Sequence, residues 1–252
     1  MSDIATRALY IDLLKRALAN TIYADAARSA EGGVLAHDAA MRESGSDWPL
    51  VAHTMVGMQR LDNLARCCAT AIEEGIRGDF IETGVWRGGA TVLMRGVLKA
   101  YGDVSRIVWV ADSFEGLPTP DAERYPADGG DRHHELDYLR VSEDQVRETF
   151  RRYGLLDDQV RFLKGWFRDT LPRASIERLA VLRLDGDMYE STQDALDALY
   201  PKLSTGGFAI VDDYGAIPAC KAATDDYRRR HGVREPMQFI DWTGVFWRKV
   251  AD

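Results

Sequence analysis

The chain has 252 residues, a formal net charge of −8 and 46% apolar residues, which suits one domain with a sizeable core and an appended helical segment. The acidic balance argues against a nucleic-acid binder, which needs a basic face. No apolar run approaches the ~20 residues of a membrane span, the N-terminus carries no signal-peptide pattern, and Cys67, Cys68 and Cys220 read as reduced cytoplasmic thiols packed in helices, not as a disulfide frame or a zinc site.

From Ala5 to Ala27, Leu9, Leu13, Leu14, Leu18 and Ile22 recur at helical spacing, and a second helical stretch runs from Val51 to Glu74 through Met55, Met58, Leu61, Leu64 and Ile72. Residues 30–49 between them are polar and rich in Gly, Ser and Asp, predicting short helix and loop. After Gly78 short apolar runs alternate with helical patterns. Phe80–Thr83 is a strand, and Ala90–Tyr101 a helix. RIVWVADSF, from Arg106, is a second strand, followed by a loop rich in Pro, Gly, Asp and His over residues 117–141. Ser142 with Gln145 forms a capping box that opens a helix ending at Gly154. QVRFLKG, RLAVLRLDGD and GGFAIVDDY are further strands, with helices at Ser191–Tyr200 and Pro218–His231. QFIDWTGVFWRKV predicts an antiparallel hairpin about a turn at Trp242–Gly244.

This alternation predicts an α/β fold, a parallel sheet covered on both faces, with ligands beyond the carboxyl ends of the strands. The first strand ends in Glu82-Thr83-Gly84, and Gly84, Gly88 and Gly89 are expected to let the backbone approach a ligand. The pattern G-x-x-x-G-G lacks the third glycine of a dinucleotide fingerprint. Glu82 would repel a phosphate and suit an amine or hydroxyl, which S-adenosylmethionine offers. Asp112, ending the second strand, can accept both ribose hydroxyls or cap a helix. Trp166, after the third strand, can wall an adenine or join the core. Asp185 ends the fourth strand, and Asp212 and Asp213 the fifth. On adjacent strands, ~4.8 Å apart, these carboxylates repel unless a cation or protons neutralise them. Oxygen-only ligands suit Mg²⁺, Ca²⁺ or Mn²⁺. Asp187, two residues on, is either a general base or the cap of the following helix.

VAHTMVGMQRL (Val51–Leu61), ETGVWRGGA, VWVADSFEGLP, RYGLLDDQVRFLKGWF, LRLDGDMYEST and GGFAIVDDY together make the chain resemble the macrocin O-methyltransferases, which methylate deoxysugars on macrolide and aminocoumarin antibiotics. The macrolide members match best. The resemblance implies a class I methyltransferase Rossmann-like sheet with an antiparallel last strand, an N-terminal helical cover and oligomerisation segment (1–78), and a donor-binding domain (79–252) whose loop 117–141 is an acceptor lid. It implies S-adenosylmethionine as donor and Mg²⁺ as the ion, held by Asp185, Asp212 and Asp213, with Asp187 as base. It implies donor contacts from Glu82, Thr83, Gly84, Asp112, Ser113, Trp166 and Asp185, and a stretch at Thr54 and Met55 reaching over the donor. A homo-oligomer acting on a glycosylated antibiotic, with neither nucleic acid nor membrane as partner, is the further expectation. His133 and His134 read as solvated lid residues. A catechol-like small acceptor is the nearest competitor, and a nicotinamide-dependent oxidoreductase, a metal-dependent hydrolase and a non-catalytic binding protein are more distant ones.

Overall fold

The computed structural model describes residues 3–29 and 32–250. Among them the elements run α1 (Asp3–Leu18), β1 (Ala27–Arg28), β2 (Val34–Leu35), α2 (Ala39–Ser44), β3 (Trp48–Pro49), α3 (Met58–Glu73), β4 (Asp79–Thr83), α4 (Gly89–Tyr101) and β5 (Val108–Asp112). They continue with α5 (Glu143–Arg152), β6 (Val160–Lys164), α6 (Phe167–Thr170), β7 (Leu179–Leu184), α7 (Tyr189–Leu199), β8 (Leu203–Val211), α8 (Pro218–Arg230), β9 (Gln238–Phe239) and β10 (Val245–Arg248).

The main sheet has seven strands in the order β6-β5-β4-β7-β8-β10-β9. β4 pairs in parallel with β5 and β7, β7 with β8 and β5 with β6, whereas β10 runs antiparallel to both β8 and β9. This is the class I methyltransferase arrangement, and the C-terminal hairpin is present. The buried strands alternate between two cores, as period-2 side chains must. Phe80, Val108, Val110 and Val181 pack with α1, α3, α4 and α5 on one face. Ile81, Trp109, Leu182 and Ala209 pack with α7 and α8 on the other.

The N-terminal region shares the first core, through Leu14, Leu18, Leu61 and Leu64. α1 lies on α4 at Gly96, where a Cβ would overlap the side chain of Leu14. The apolar stripe of α1 is split between two environments. Leu14 and Leu18 are buried, but Leu9 (58% exposed) and Leu13 face outward; the helix ends at Leu18, short of the Ala27 that the spacing suggests, and the exposed Ile22 lies in the turn after it.

Two further expectations for this region are corrected. Residues 30–49 are not helix and loop alone, because β2 and β3 join β1, just before them, in a small antiparallel sheet in the order β2-β1-β3; Ala30 and Glu31 lie outside the described residues. The second helix starts at Met58, seven residues later than the apolar spacing suggests. The backbone before it is engaged elsewhere: Val51 and Ala52 N–H donate to Asp25 Oδ2, His53 N–H to the Leu18 carbonyl, and the His53 carbonyl accepts from Gly89. A segment whose hydrogen bonds are made across the fold has none left for a helix.

The cysteines are free and buried, and burial pushes the Cys67 thiol up to about 12. No described helix is long and apolar enough to cross a membrane.

Candidate active site

A cleft of about 310 Å³ opens along the carboxyl edge of the sheet. Gly84, Asp112, Ser113, Gly165 and Trp166 line it where β4, β5 and β6 end; Asp185, Asp187, Asp212 and Asp213 line its middle, where β7 and β8 end. Met55 and Trp48 reach it from the N-terminal region, and Trp242 from the turn before β10.

The glycines behave differently from the reading that each makes room for a ligand. Gly84 sits at φ +83°, where a Cβ would run into the carbonyl of Asp185. It therefore lets the ends of β4 and β7 come together. A Cβ on Gly88 would meet Val146, and one on Gly89 would meet the His53 carbonyl and Thr54. So Gly88 and Gly89 accommodate α5 and the 51–57 segment, and of the three only Gly84 borders the cleft.

Asp112 binds that turn to β5. Its Oδ2 accepts from Val85 N–H at 2.7 Å and its Oδ1 from Phe114 N–H at 2.7 Å. Burial raises its carboxyl above the usual range against the pull of these donors. Asp112 also lines the cleft, where a hydroxyl would compete with the nearby Trp86 N–H and Ser113 hydroxyl for its oxygens. Ser113 Oγ donates to the Gly116 carbonyl at 2.6 Å and accepts from Glu115 N–H at 3.0 Å.

Glu82, Thr83 and Thr54 are buried behind the cleft wall and do not line it. Glu82 pairs with Arg183, its register partner on β7. Thr54 Oγ1 accepts from Val56 N–H at 3.1 Å, shaping the bend that presents Met55.

Asp185, Asp212 and Asp213 each offer an oxygen within 4.8 Å of the others. Two arginines not singled out from the sequence serve them. Arg183 binds Glu82 and Asp212, and reaches Asp185 Oδ2 at 2.7 Å. Arg60 binds Asp212, and reaches Asp241 Oδ2 at 2.9 Å and the Gly45 carbonyl at 3.0 Å. Six carboxylates, with Asp187 and Glu82 included, thus face two guanidinium groups, and the excess of negative charge is met by proton uptake. Burial, then repulsion from Asp187 and Asp185, pushes Asp213 far above the carboxylate range. Burial and repulsion from Asp185 lift Asp187 to about 7, and burial lifts Glu82 to about 8 despite Arg183. Burial also acts on Asp212, but Arg183 and Arg60 outweigh it and hold its carboxyl low. The residues fit a hard divalent cation: the donors are all oxygen, they converge, and they carry more negative charge than the protein neutralises.

Asp187 stands at φ +57°, unusual for a residue with a side chain, and its N–H donates to Asp213 Oδ2 at 3.2 Å. The alternative reading, that it caps the next helix, does not hold. That cap is Asp128, from the loop, which accepts Tyr189 N–H at 2.6 Å and Glu190 N–H at 3.0 Å. The cap is why α7 begins at Tyr189, before the expected Ser191.

The loop 117–141 forms three short 3₁₀ turns and is docked at a second point as well. The Tyr138 hydroxyl donates to the Pro49 carbonyl at 2.6 Å, its carbonyl accepts from Trp86 Nε1, and its ring stacks on Trp48 with centroids 5.4 Å apart. His133 Nδ1 lies 2.6 Å from Asp131 Oδ2, and both act electrostatically on Asp187. Neither His133 nor His134 lines the main cleft.

Of the residues missed, Arg183 had a sequence signal: it is a lone charge inside the apolar run LAVLRL. Arg60, Asp128, Asp241 and Trp242 had none.

Comparison with known proteins follows the same direction. The family model described as macrocin-O-methyltransferase (TylF) matches residues 7–249. The chain is 57% identical, over 97% of its length and 94% of the other, to 8-demethyl-8-(2,3-dimethoxy-alpha-L-rhamnosyl)-tetracenomycin-C 4'-O-methyltransferase of Streptomyces olivaceus. It is 53% identical to mycinamicin III 3''-O-methyltransferase of Micromonospora griseorubida, over 96% and 97% of the two chains. Among solved structures, the O-methyltransferase NovP superposes with a TM-score of 0.90 at 48% identity, covering 97% of this chain and all of that one. Sheet order, cleft and sequence agree that this chain belongs to the macrocin O-methyltransferase family.

Proposed function

We propose that the protein is an S-adenosylmethionine-dependent and Mg²⁺-dependent O-methyltransferase acting on a hydroxyl of a deoxysugar carried by a glycosylated antibiotic of the macrolide type. The observation that carries this reading is the Asp185–Asp212–Asp213 cluster, with Asp187 beside it, in the middle of a single cleft. The names of the two relatives, one acting on a rhamnosyl tetracenomycin and one on mycinamicin III, support a sugar acceptor.

The donor lies at the β4–β6 end. Asp112 accepts ribose hydroxyls there, Trp166 walls the base, and Met55 covers the site. Asp185, Asp212 and Asp213 would hold Mg²⁺, which when bound would supply a positive centre that lowers the pKa of a nearby sugar hydroxyl. Asp187 takes that hydroxyl's proton while the oxygen bonds to the methyl carbon and the donor's methyl carbon–sulfur bond breaks, leaving S-adenosylhomocysteine. The Asp187 carboxyl lines the same cleft as the cluster, where a base for that hydroxyl is needed. The protein adds alignment, for which about 7–11 kcal/mol of barrier is available in a well-oriented pair.

Residues 1–78 are the cover and oligomerisation segment and residues 79–252 the methyltransferase domain. The outward half of the α1 stripe, Leu9 and Leu13, supports a homo-oligomer. The free thiols suit a cytoplasmic enzyme.

The test is calorimetric titration with S-adenosylmethionine and with Mg²⁺, followed by turnover of a desmethyl antibiotic glycoside. Asp185→Ala should remove Mg²⁺ binding and metal-dependent turnover while the protein stays folded. Undiminished turnover by the wild type in excess chelator would sink the metal role.

A further inference from the structure

Trp242 is half exposed, at 53%, yet it stands in the wall of the cleft and on a turn held rigid from several sides. Its indole N–H donates to the Ser44 carbonyl at 3.0 Å. Asp241 Oδ1 accepts from Thr243 N–H at 3.0 Å and Gly244 N–H at 2.8 Å, and Gly215 N–H donates to the Thr243 carbonyl at 2.8 Å. The ring therefore has its polar atom satisfied inside the protein while its apolar face is left to the cleft, which is an arrangement for packing against a partner that is not part of the fold.

The topology says which partner. β10 runs antiparallel to β8, and Val245 pairs with Val211, so the turn before β10 lies at the same carboxyl edge as Asp212. From β5, which ends in Asp112, the sheet passes β4, β7 and β8 before reaching β10. At ~4.8 Å per strand, Trp242 lies roughly 19 Å along the edge from the donor end, on the far side of the acidic cluster. A donor seated at Asp112 with its reacting end at the cluster does not extend there. What does is the part of the acceptor on the other side of its reacting hydroxyl.

We propose that Trp242 is the platform for the non-sugar body of the acceptor, an apolar or aromatic surface lying on the indole face while the sugar sits at Asp185–Asp213. This rests on the sugar-acceptor reading above. The turn is joined to the cluster twice: Thr243 Oγ1 donates to the Asp212 carbonyl at 2.8 Å, and Asp241 binds Arg60, which binds Asp212. Platform and cluster are thus held at a set separation, and that separation selects which sugar hydroxyl reaches the cluster.

The experiment compares KM and kcat for 2-naphthyl α-L-rhamnoside and methyl α-L-rhamnoside with wild type, Trp242→Ala and Trp242→Phe, with donor affinity by calorimetry as the control of folding. The wild type should favour the naphthyl glycoside in KM by about tenfold, the scale of one stacked ring. Trp242→Ala should abolish that preference while kcat and donor affinity stay within about twofold, and Trp242→Phe should keep most of it. A preference that survives Trp242→Ala, a wild type with no preference, or equal losses of kcat on both acceptors would overturn the proposal alone. A wild type that binds donor but methylates neither these glycosides nor a desmethyl antibiotic glycoside would overturn the sugar-acceptor reading and this proposal with it.

Discussion

Arg183 reaches Asp185 Oδ2 at 2.7 Å from two residues earlier in the same chain, and the same guanidinium binds Glu82 on one side and Asp212 on the other. One fully buried cation on β7 thus holds together the ends of three adjacent strands. The acidic cluster is a feature of the sheet as much as of the loops that carry it.

Replacing that cation should therefore be costly. Arg183→Leu leaves the charged Asp212 carboxylate buried with a partner removed, a change of about 3–5 kcal/mol. Urea denaturation should show a lower midpoint. Adding Asp212→Asn to Arg183→Leu should recover part of the loss, and no recovery would mean that the uncompensated Asp212 charge is not the source.

Glu82 also sets a pH dependence. Its folded carboxyl titrates at about 8 against an ordinary value of 4.5, so the folded state holds a proton that the unfolded state has released between those values. Stability from this group is fully present below 4.5 and is lost as pH rises through 8. Thermal denaturation in EDTA should show the wild type losing more stability than Glu82→Gln between pH 5 and pH 8. Parallel curves would count against the shift.

Gly89→Ala reverses a usual rule. Alanine in a helix normally stabilises by about 0.5–1 kcal/mol over glycine. Here the new Cβ would overlap the His53 carbonyl and Thr54, so the variant should be destabilised. It should also bind S-adenosylmethionine more weakly, because the 51–57 segment that presents Met55 must move. A stabilised variant with unchanged donor affinity would contradict the packing described.

Asp128→Ala removes the cap of α7, worth about 0.5–2 kcal/mol. It also removes one of the loop's docking contacts, which include the Tyr125–Tyr189 ring pair and the Tyr138 contacts. Limited proteolysis should cut within residues 117–141 faster than in the wild type, with the rest of the chain resistant. Unchanged cleavage would show that the Asp128 cap does not hold the loop.

Asp187→Asn keeps the shape and removes the proposed base. Turnover should fall about 10²- to 10⁴-fold while S-adenosylmethionine affinity is retained. A fall of less than tenfold in kcat would assign the proton to another group.

Much of the molecule was legible before folding because its signals are local. Strand alternation, the Ser142–Gln145 capping box and the hairpin at residues 238–248 are set by neighbours a few residues apart, and all are present. So is the placement of Asp185, Asp212 and Asp213, since each follows a strand and parallel strands bring their ends to one edge. The start of α3 was misplaced because apolar spacing continues through Val51–Gly57, while those backbone groups bond to Asp25, Leu18 and Gly89 instead. The tertiary structure alone decided that Gly88 and Gly89 face protein, that Glu82 lies behind the cleft, and that Asp128 caps α7. It alone joined Arg60 to Asp212 across 152 positions of chain. A glycine, an arginine or an aspartate carries no mark of its partner when that partner is distant in sequence. Such contacts exist only once the sheet has fixed the order of its strands, because their energy comes from burial and charge at positions that the fold creates.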